Sequence, residues 1–217
     1  MRSIKVTGKG LLKVKPDTMR LLLTTTDTKK DYADALQASA DMTGILRGVA
    51  AECGFTEEEL KTTSFVVDPD YEGYQDKNGN WRQKLKGYRY THELKLEFPL
   101  DNERLGRLLY ALSKSGSKAE FRIQYTVADM EASRNELLRL AVEDAKRKAT
   151  ILAEAAGVSL GALNTIDYSF GARDFVAEPM AFRECSKASD GVYGMALDMT
   201  PDEIRAEDSV TVLWEIR

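Results

Sequence analysis

Residues 81–98 alternate between apolar and polar side chains, and this alternation constrains the fold more than any other feature of the sequence. One face carries aromatic and aliphatic residues and a histidine: Tyr88, Tyr90, His92, Leu94, Leu96 and Phe98. The other face is polar: Arg89, Thr91, Glu93, Lys95 and Glu97. The pattern predicts a strand of an antiparallel sheet with one side in water. Residues 62–74 are its predicted hairpin partner, because the Asn78-Gly79 pair between the two segments readily adopts positive φ.

The rest of the chain contains further alternating segments and three segments with helical periodicity. The alternating segments predict strands near 3–15, 18–26, 118–128, 163–170 and 208–216. The helical period predicts helices near 30–53, 102–115 and 130–156. Each helix has an apolar stripe that must be covered. We therefore predict an α+β fold in which three main helices pack on one side of an antiparallel β-sheet.

Small residues mark two places where chain segments are expected to approach closely. Gly8 and Gly10 interrupt the first strand and predict a bulge or a close backbone approach. The helix over 130–156 has a seam dominated by alanine: Leu138, Ala141, Ala145, Ala149, Leu152 and Ala156. Such a seam predicts that this helix lies unusually close to the surface that it covers.

Charge and hydropathy limit the partners and locations of the protein. A formal charge of -4 and a pI near 5.3 leave no basic excess to neutralise nucleic-acid phosphates, so we predict no nucleic-acid partner. No window approaches the ~20 consecutive apolar residues that cross a bilayer, and no integral membrane segment is expected. Residues 1–15 lack the apolar region of a secretory signal. This predicts a cytoplasmic protein for the sequence as written, or a periplasmic or envelope protein if a leader has been removed.

Few residues have the types and spacing that catalysis or metal binding requires. The single histidine, His92, excludes sites built from several imidazoles, and its place on an apolar strand face favours a structural role over that of a base. Gly8-Lys9-Gly10 lacks the rest of a phosphate-binding loop. Four acidic residues near the hairpin lack the spacing of a calcium loop: Asp68, Asp70, Glu72 and Asp76. We predict no catalytic residue, no metal ligand and no cofactor.

Aromatic residues concentrate at the hairpin, and a long irregular segment precedes the last strand. Tyr71, Tyr74 and Trp81 suit a protein interface and cross-strand stabilisation equally well. Residues 172–208 have weak periodicity, so this segment is functional, disordered or ordered only against another chain. It carries apolar residues that its own core is not expected to cover: Phe175, Met180, Phe182 and Tyr193. We predict that both regions contact another protomer.

Four motifs occur in order along nearly the whole chain: Ile4-Lys5-Val6-Thr7-Gly8-Lys9-Gly10 with Pro16-Asp17; Thr62-Thr63 with Pro69, Tyr71 and Gly87-Tyr88; Ala141 to Gly157 with Leu160-Gly161; and Pro201 to Ala206 leading into Val210. Together they resemble the SIMPL-domain family, mostly bacterial proteins of poorly defined function related to a mammalian kinase-associated protein and to periplasmic immunogenic proteins. The resemblance implies one domain over 1–217, with two subdomains divided near 100–130 as the alternative. It also implies self-association, since relatives form ring-like assemblies, and it brings no established catalytic set.

Two classes of function remain open at this point. The favoured hypothesis is a non-enzymatic homo-oligomer, with envelope or stress-related processes as its setting. The alternative is a small-molecule-binding protein or a hydrolase with a site near His92 and the aromatic hairpin. Strand alternation places Glu93 on the face opposite His92, which weakens the alternative.

Overall fold

The computed structural model describes residues 2–168 and 199–217. In these ranges the chain forms seven strands and three helices: β1 (Ser3–Val14), β2 (Thr18–Lys29), α1 (Tyr32–Glu52), β3 (Lys61–Gln75), β4 (Trp81–Pro99), α2 (Asn102–Lys114), β5 (Glu120–Thr126), α3 (Met130–Ala155), β6 (Leu160–Asp167) and β7 (Ile204–Ile216). Four of the predicted interaction residues lie outside the described residues: Phe175, Met180, Phe182 and Tyr193.

The predicted α+β class is confirmed, with antiparallel pairing in two sheets and three helices. β7 begins at Ile204, so residues 204–208 lie in a strand and not in the irregular segment that the sequence predicts up to residue 208. The described chain divides into two units, which are residues 2–17, 125–168 and 201–217, and residues 18–124 and 199–200. One domain over 1–217, with two subdomains divided near 100–130 as the alternative, stays a prediction.

The first unit is a three-stranded sheet in the order β1-β7-β6 with α3 packed against it. A Cβ atom on Gly8 would lie 2.1 Å from the carbonyl oxygen of Ala141, which confirms the predicted close approach. β1 pairs with β7 without a register shift, so the glycines make room for α3 and do not mark a bulge. Leu152 of the predicted seam is 51% exposed, whereas its central alanines are fully buried: Ala141, Ala145 and Ala149.

Asp144 attaches α3 to the edge of this sheet. Its Oδ2 atom accepts a hydrogen bond from the backbone N–H of Lys9 at 2.8 Å. The same oxygen forms an ion pair with Lys148 Nζ at 2.6 Å. Arg147 contacts the other carboxylate oxygen. These donors, Lys148 most strongly, lower the pKa of Asp144 to about 2. Because β1 is an outer strand, the bond from Lys9 satisfies a backbone donor at the sheet edge.

The second unit is a four-stranded sheet in the order β3-β4-β2-β5, with α1 and α2 on one side. Its core consists of residues that face these helices from the two central strands, together with apolar residues of both helices: Met19, Leu21, Leu23, Tyr90, Leu94, Leu96, Phe98, Leu46, Val49, Leu105 and Leu108. The apolar strand face predicted over 88–98 is confirmed as the buried face. α1 packs mainly on β2 and β4, and it leaves β3 largely uncovered.

Local signals place the ends of the helices in this unit. The side chain of Asp101 accepts the N–H of Arg104 at 2.9 Å and caps the start of α2. Gly54, with φ +78, ends α1. The Arg104 guanidinium lies 3.7 Å from the centre of the Phe55 ring and donates to the carbonyl of Gly54 at 2.7 Å. Arg104 therefore joins the start of α2 to the end of α1.

Candidate interaction surface

β3 and β4 continue beyond the sheet as a two-stranded ribbon. The pairing of β2 with β4 ends at Lys29 and Tyr88, whereas β3 and β4 remain paired as far as Gln75 and Trp81. We call residues 70–87 the hairpin arm. Beyond Gly87 no third strand of the described residues lies beside the arm in the sheet, and most of its side chains are exposed.

The two faces of the hairpin arm differ in character. Tyr71 lies opposite Leu85, and Gln75 lies opposite Trp81, so Tyr71, Leu85 and Trp81 share one face. Trp81 is 77% exposed and Tyr71 is 56% exposed. The other face pairs Glu72 with Lys84 and Tyr74 with Arg82. The structure therefore brings Tyr71 and Trp81 of the predicted site together and places Tyr74 on the opposite, charged face.

A bulge in β4 joins the apolar face of the arm to the helix-facing side of the sheet. Asp70 pairs with Gly87 and Tyr71 pairs with Leu85, which leaves Lys86 as an extra residue. The extra residue shifts the alternation of β4 by one position. Leu85 and Trp81, which are odd-numbered, therefore lie on the same side of the sheet as Tyr88 and the even-numbered residues after it. A Cβ atom at position 87 would lie 2.1 Å from the carbonyl oxygen of Lys29, so the site requires glycine.

The result is a mainly apolar strip along β3 and β4, in which Gln83 lies between Leu85 and Trp81. β3 alternates without interruption from Ser64 to Asp70, and Phe65 lies opposite His92 on the helix-facing side. We define the apolar strip as Phe65, Val67, Pro69, Tyr71, Leu85 and Trp81. Phe65 is 42% exposed because α1 does not cover β3.

The first turns of α1 border the base of this strip. The rings of Tyr32 and Tyr88 meet edge to face, with 5.6 Å between their centres. Leu36 lies one turn further along the same helix face and is 39% exposed. Sequence reasoning missed Phe65, Val67, Leu85 and Leu36. The alternation in β3 would have indicated the first two, whereas the bulge at Lys86 conceals the face of Leu85.

Hydrogen bonds fix both ends of the arm. At its base, Asp70 pairs with Arg89 at 2.8 Å and accepts from Thr28 Oγ1 at 3.3 Å. At its tip, Asp76 accepts from Arg82 Nε at 2.8 Å and from the backbone N–H groups of Asn78 and Asn80 at 2.9 and 3.0 Å. The hydrogen bond from Arg82 is the main cause that lowers the pKa of Asp76. Asp70 thus stabilises the base of the arm, and Asp76 stabilises the turn at its tip.

His92 lies inside the second unit among three hydroxyl groups. Thr43 donates its hydroxyl hydrogen to the carbonyl of Ser39 at 2.8 Å, so its Oγ1 accepts from His92 Nδ1 at 3.1 Å. This assigns the ring hydrogen to Nδ1 and leaves Nε2 to accept from Thr62 Oγ1 at 2.9 Å. Burial, and then the charge of Arg47, lower the pKa of His92. The ring is therefore a neutral, hydrogen-bonded structural histidine.

A shallow cavity of about 270 Å³ lies on the other side of the same sheet and is lined by polar and charged residues: Thr56, Glu58, Glu59, Lys61, Lys95 and Glu97. Four of these residues, Glu97, Lys95, Glu59 and Thr56, already have polar partners. Arg20 and Lys95 pair with Glu97 at 2.6 and 3.2 Å, and Glu59 accepts the N–H of Thr56 at 2.6 Å. In residues 2–168 and 199–217, no group of three or more His, Cys, Asp or Glu side chains could hold a metal ion.

Comparison with known proteins places the chain in a family. Residues 4–214 match the model of SIMPL, a protein of unknown function (DUF541). The chain therefore belongs to the SIMPL family. Two 26 kDa periplasmic immunogenic proteins, from Brucella melitensis biotype 1 and Brucella abortus strain S19, are each 26% identical to this SIMPL protein over 99% of its chain and 84% of their own.

Two solved structures of CutA from Synechococcus elongatus PCC7942, one of them complexed with Bis-Tris, are also similar to the SIMPL chain. Each is 17% identical, with a TM-score of 0.22; they cover 60% and 59% of this chain and 96% and 99% of their own. In the described part of this SIMPL protein, no helix is both long and apolar enough to cross a membrane.

Proposed function

We propose that this SIMPL-family protein is a non-enzymatic protein that associates with itself through the apolar strip of its hairpin arm. The observation that carries the proposal is the 77% exposure of Trp81, within the described residues, on the same face as the exposed Tyr71 and Leu85. Large contiguous apolar patches on a protein surface mark interaction sites. An isolated two-stranded hairpin is marginally stable in water, so a partner on this face also stabilises the arm.

Periplasmic or envelope location is part of the proposal. The two Brucella relatives support it, because both are named as periplasmic proteins and align with 99% of this chain. Fractionation of cells that express the protein from its native gene tests the location. Recovery with periplasmic or envelope markers is expected, and recovery with cytoplasmic enzymes would restore the location that residues 1–15 alone predict.

Residues 172–208 are the second predicted contact region. The part that holds Phe175, Met180, Phe182 and Tyr193 lies outside the described residues, and its role in association stays a prediction. Deletion of 175–198 is expected to weaken association. Equal oligomeric states with and without this segment would limit the interface to the hairpin arm.

Light scattering coupled to size exclusion tests the proposal over a range of protein concentrations. The wild-type mass is expected to rise above the 24.2 kDa of one chain, and Trp81→Ser is expected to shift the protein towards the monomer. Tyr110→Ser is the matched control, because Tyr110 is 48% exposed on α2, away from the arm. A monomer at every concentration, unchanged by deletion of 175–198, contradicts self-association.

The alternative function, a hydrolase or small-molecule-binding protein, is favoured by one contact. Ser39 Oγ lies 3.1 Å from Nδ1 of His92, within reach of a nucleophile and its base. The hydrogen on Nδ1 and the burial of Ser39, which is 3% exposed, oppose this chemistry. Turnover of a panel of esters by the wild type that is lost in His92→Ala would replace the first proposal by this one.

A further inference from the structure

We infer that the first strand of this SIMPL protein docks on an anionic membrane surface, with the lysines of its open face on the lipid phosphates. α3 covers one side of the sheet in the first unit, and even-numbered residues of β1 such as Val6 and Gly8 are buried against it. The odd-numbered residues of β1 point to the other side and are exposed. The inference does not depend on self-association through the hairpin arm.

Basic charge is concentrated in this part of the chain. Residues 2–15 carry five basic and no acidic side chains, a net charge of +5, although the whole chain has a net charge of -4. We define the basic row as Lys5, Lys9 and Lys13 of β1 with Arg205 of β7, which share the open face of the sheet. Salt limits the reach of a charge to about 8 Å, so this local charge governs what the row attracts.

The basic row is only partly neutralised within the chain. Lys13 lies directly opposite Arg205 in the pairing of β1 with β7, and like charges in such a pair destabilise a sheet. Lys9 pairs with Glu207 at 2.8 Å, and within residues 2–168 and 199–217 it is the one member of the row that forms an ion pair. An external anion that binds here relieves the repulsion between Lys13 and Arg205.

α3 adds positive charge at the adjacent edge of the sheet. Asp144, which accepts the backbone N–H of Lys9, contacts both Arg147 and Lys148. Two cations around one carboxylate leave a net charge of +1 beside the row. The attraction for anions therefore extends around the edge of β1.

An exposed leucine within the row selects a membrane over a dissolved polyanion as the partner. Leu11 lies between Lys9 and Lys13 on the open face and is 67% exposed. On a bilayer the lysine amines reach the phosphates while the leucine enters the boundary between headgroups and acyl chains. A dissolved polyanion offers no apolar surface for Leu11.

The spacing of the lysines sets the expected strength of binding. At about 3.4 Å per residue, successive lysines of the row are about 13 Å apart. This separation exceeds the Debye length of about 8 Å, so the contributions of the lysines add. Each basic residue near an anionic leaflet strengthens binding about fivefold. We therefore expect weak, reversible binding that falls as salt rises.

Co-sedimentation of the full chain with vesicles tests the inference. Vesicles that contain phosphatidylglycerol are expected to pellet the protein, and vesicles of phosphatidylcholine alone are not. Lys5→Gln with Lys13→Gln is expected to weaken binding about 25-fold. The control, Lys114→Gln with Lys118→Gln, gives the same net charge by removing two exposed lysines of the second unit, and it is expected to change binding less than about twofold.

Thermal unfolding separates lost binding from lost structure. Because Lys13 faces Arg205, its replacement by glutamine is expected to preserve the midpoint of unfolding. Leu11→Ser is expected to weaken vesicle binding about threefold or more and to leave binding of inorganic polyphosphate unchanged.

Four results would overturn the inference. They are no binding to phosphatidylglycerol vesicles, an equal loss in the control, wild-type binding of vesicles by Leu11→Ser, and a Leu11→Ser protein that loses both probes equally. Tighter binding of polyphosphate than of vesicles would also overturn it and would assign the basic row to a dissolved polyanion.

Discussion

Gly8→Ala tests the close packing of α3 on β1, which the structure makes unusually intolerant of one added methyl group. The new Cβ atom would lie 2.1 Å from the carbonyl oxygen of Ala141, 2.4 Å from the backbone nitrogen of Ala145 and 2.7 Å from its Cβ. Two of these atoms belong to the helix backbone and cannot rotate away. The helix itself has to move.

The size of that movement gives the expected loss of stability. To bring the new Cβ atom and the carbonyl oxygen of Ala141 to an ordinary distance of about 3.4 Å, α3 has to move away from β1 by about 1.3 Å. A gap of about 0.5–1 Å between packed atoms already removes a quarter to a half of their van der Waals attraction. The retreat opens the packing around Ala141, Ala145 and Ala149, which are fully buried. Overpacking costs about 1–3 kcal/mol, and rigid neighbours favour the upper end. We expect the free energy of unfolding to fall by about 3 kcal/mol.

The assay is denaturant unfolding followed by the fluorescence of Trp214. Trp214 is buried in the first unit, and Trp81 is the other tryptophan, so a Trp81→Phe background isolates the signal. Gly48→Ala is the matched control: nothing lies within 4 Å of the added Cβ, and alanine is expected to stabilise α1 by about 0.5–1 kcal/mol. A Gly8→Ala protein as stable as the Gly48→Ala control would refute the packing argument.

Two further predictions concern pH. Burial lowers the pKa of His92 from 6.5, so the stabilisation from its neutral ring is fully present above pH 6.5 and is lost as the pH falls through the lowered folded pKa. Chemical unfolding between pH 7.5 and 5.5 is expected to show a falling free energy of unfolding in the wild type and no such fall in His92→Gln. The same dependence of this free energy on pH in both proteins would contradict the prediction. The pKa of Asp144 is lowered from 3.8 to about 2, so its ionised carboxylate contributes fully to the free energy of unfolding above pH 3.8. This contribution is lost as the pH falls towards 2. Acid unfolding followed by Trp214 fluorescence is expected to be less steep in this range for Asp144→Asn, and superimposable acid curves would count against the role of the carboxylate.

Local patterns in the sequence determined the elements and several details of their packing. The alternation over residues 88–98 identified the buried face of β4, because a side chain in a strand turns to the opposite side at each residue. Gly8, Gly10 and the alanines of α3 indicated a close helix contact before its partner was known. Asp101 identified the start of α2 through its capping hydrogen bond.

Tertiary structure decided which elements pair and which surfaces stay uncovered. β1 pairs with β7, and the Oγ1 atoms of Thr7 and Thr211 lie 2.9 Å apart. The alternation of side chains in either strand does not indicate which strand it pairs with, because the two residues are 204 positions apart in the sequence. One extra residue, Lys86, reverses the alternation of β4 and moves Leu85 and Trp81 to the same side as Phe65. A sequence pattern is local, whereas strand order, a bulge and the distance that a helix reaches across a sheet depend on contacts between remote segments. The apolar strip therefore emerged only from the folded chain.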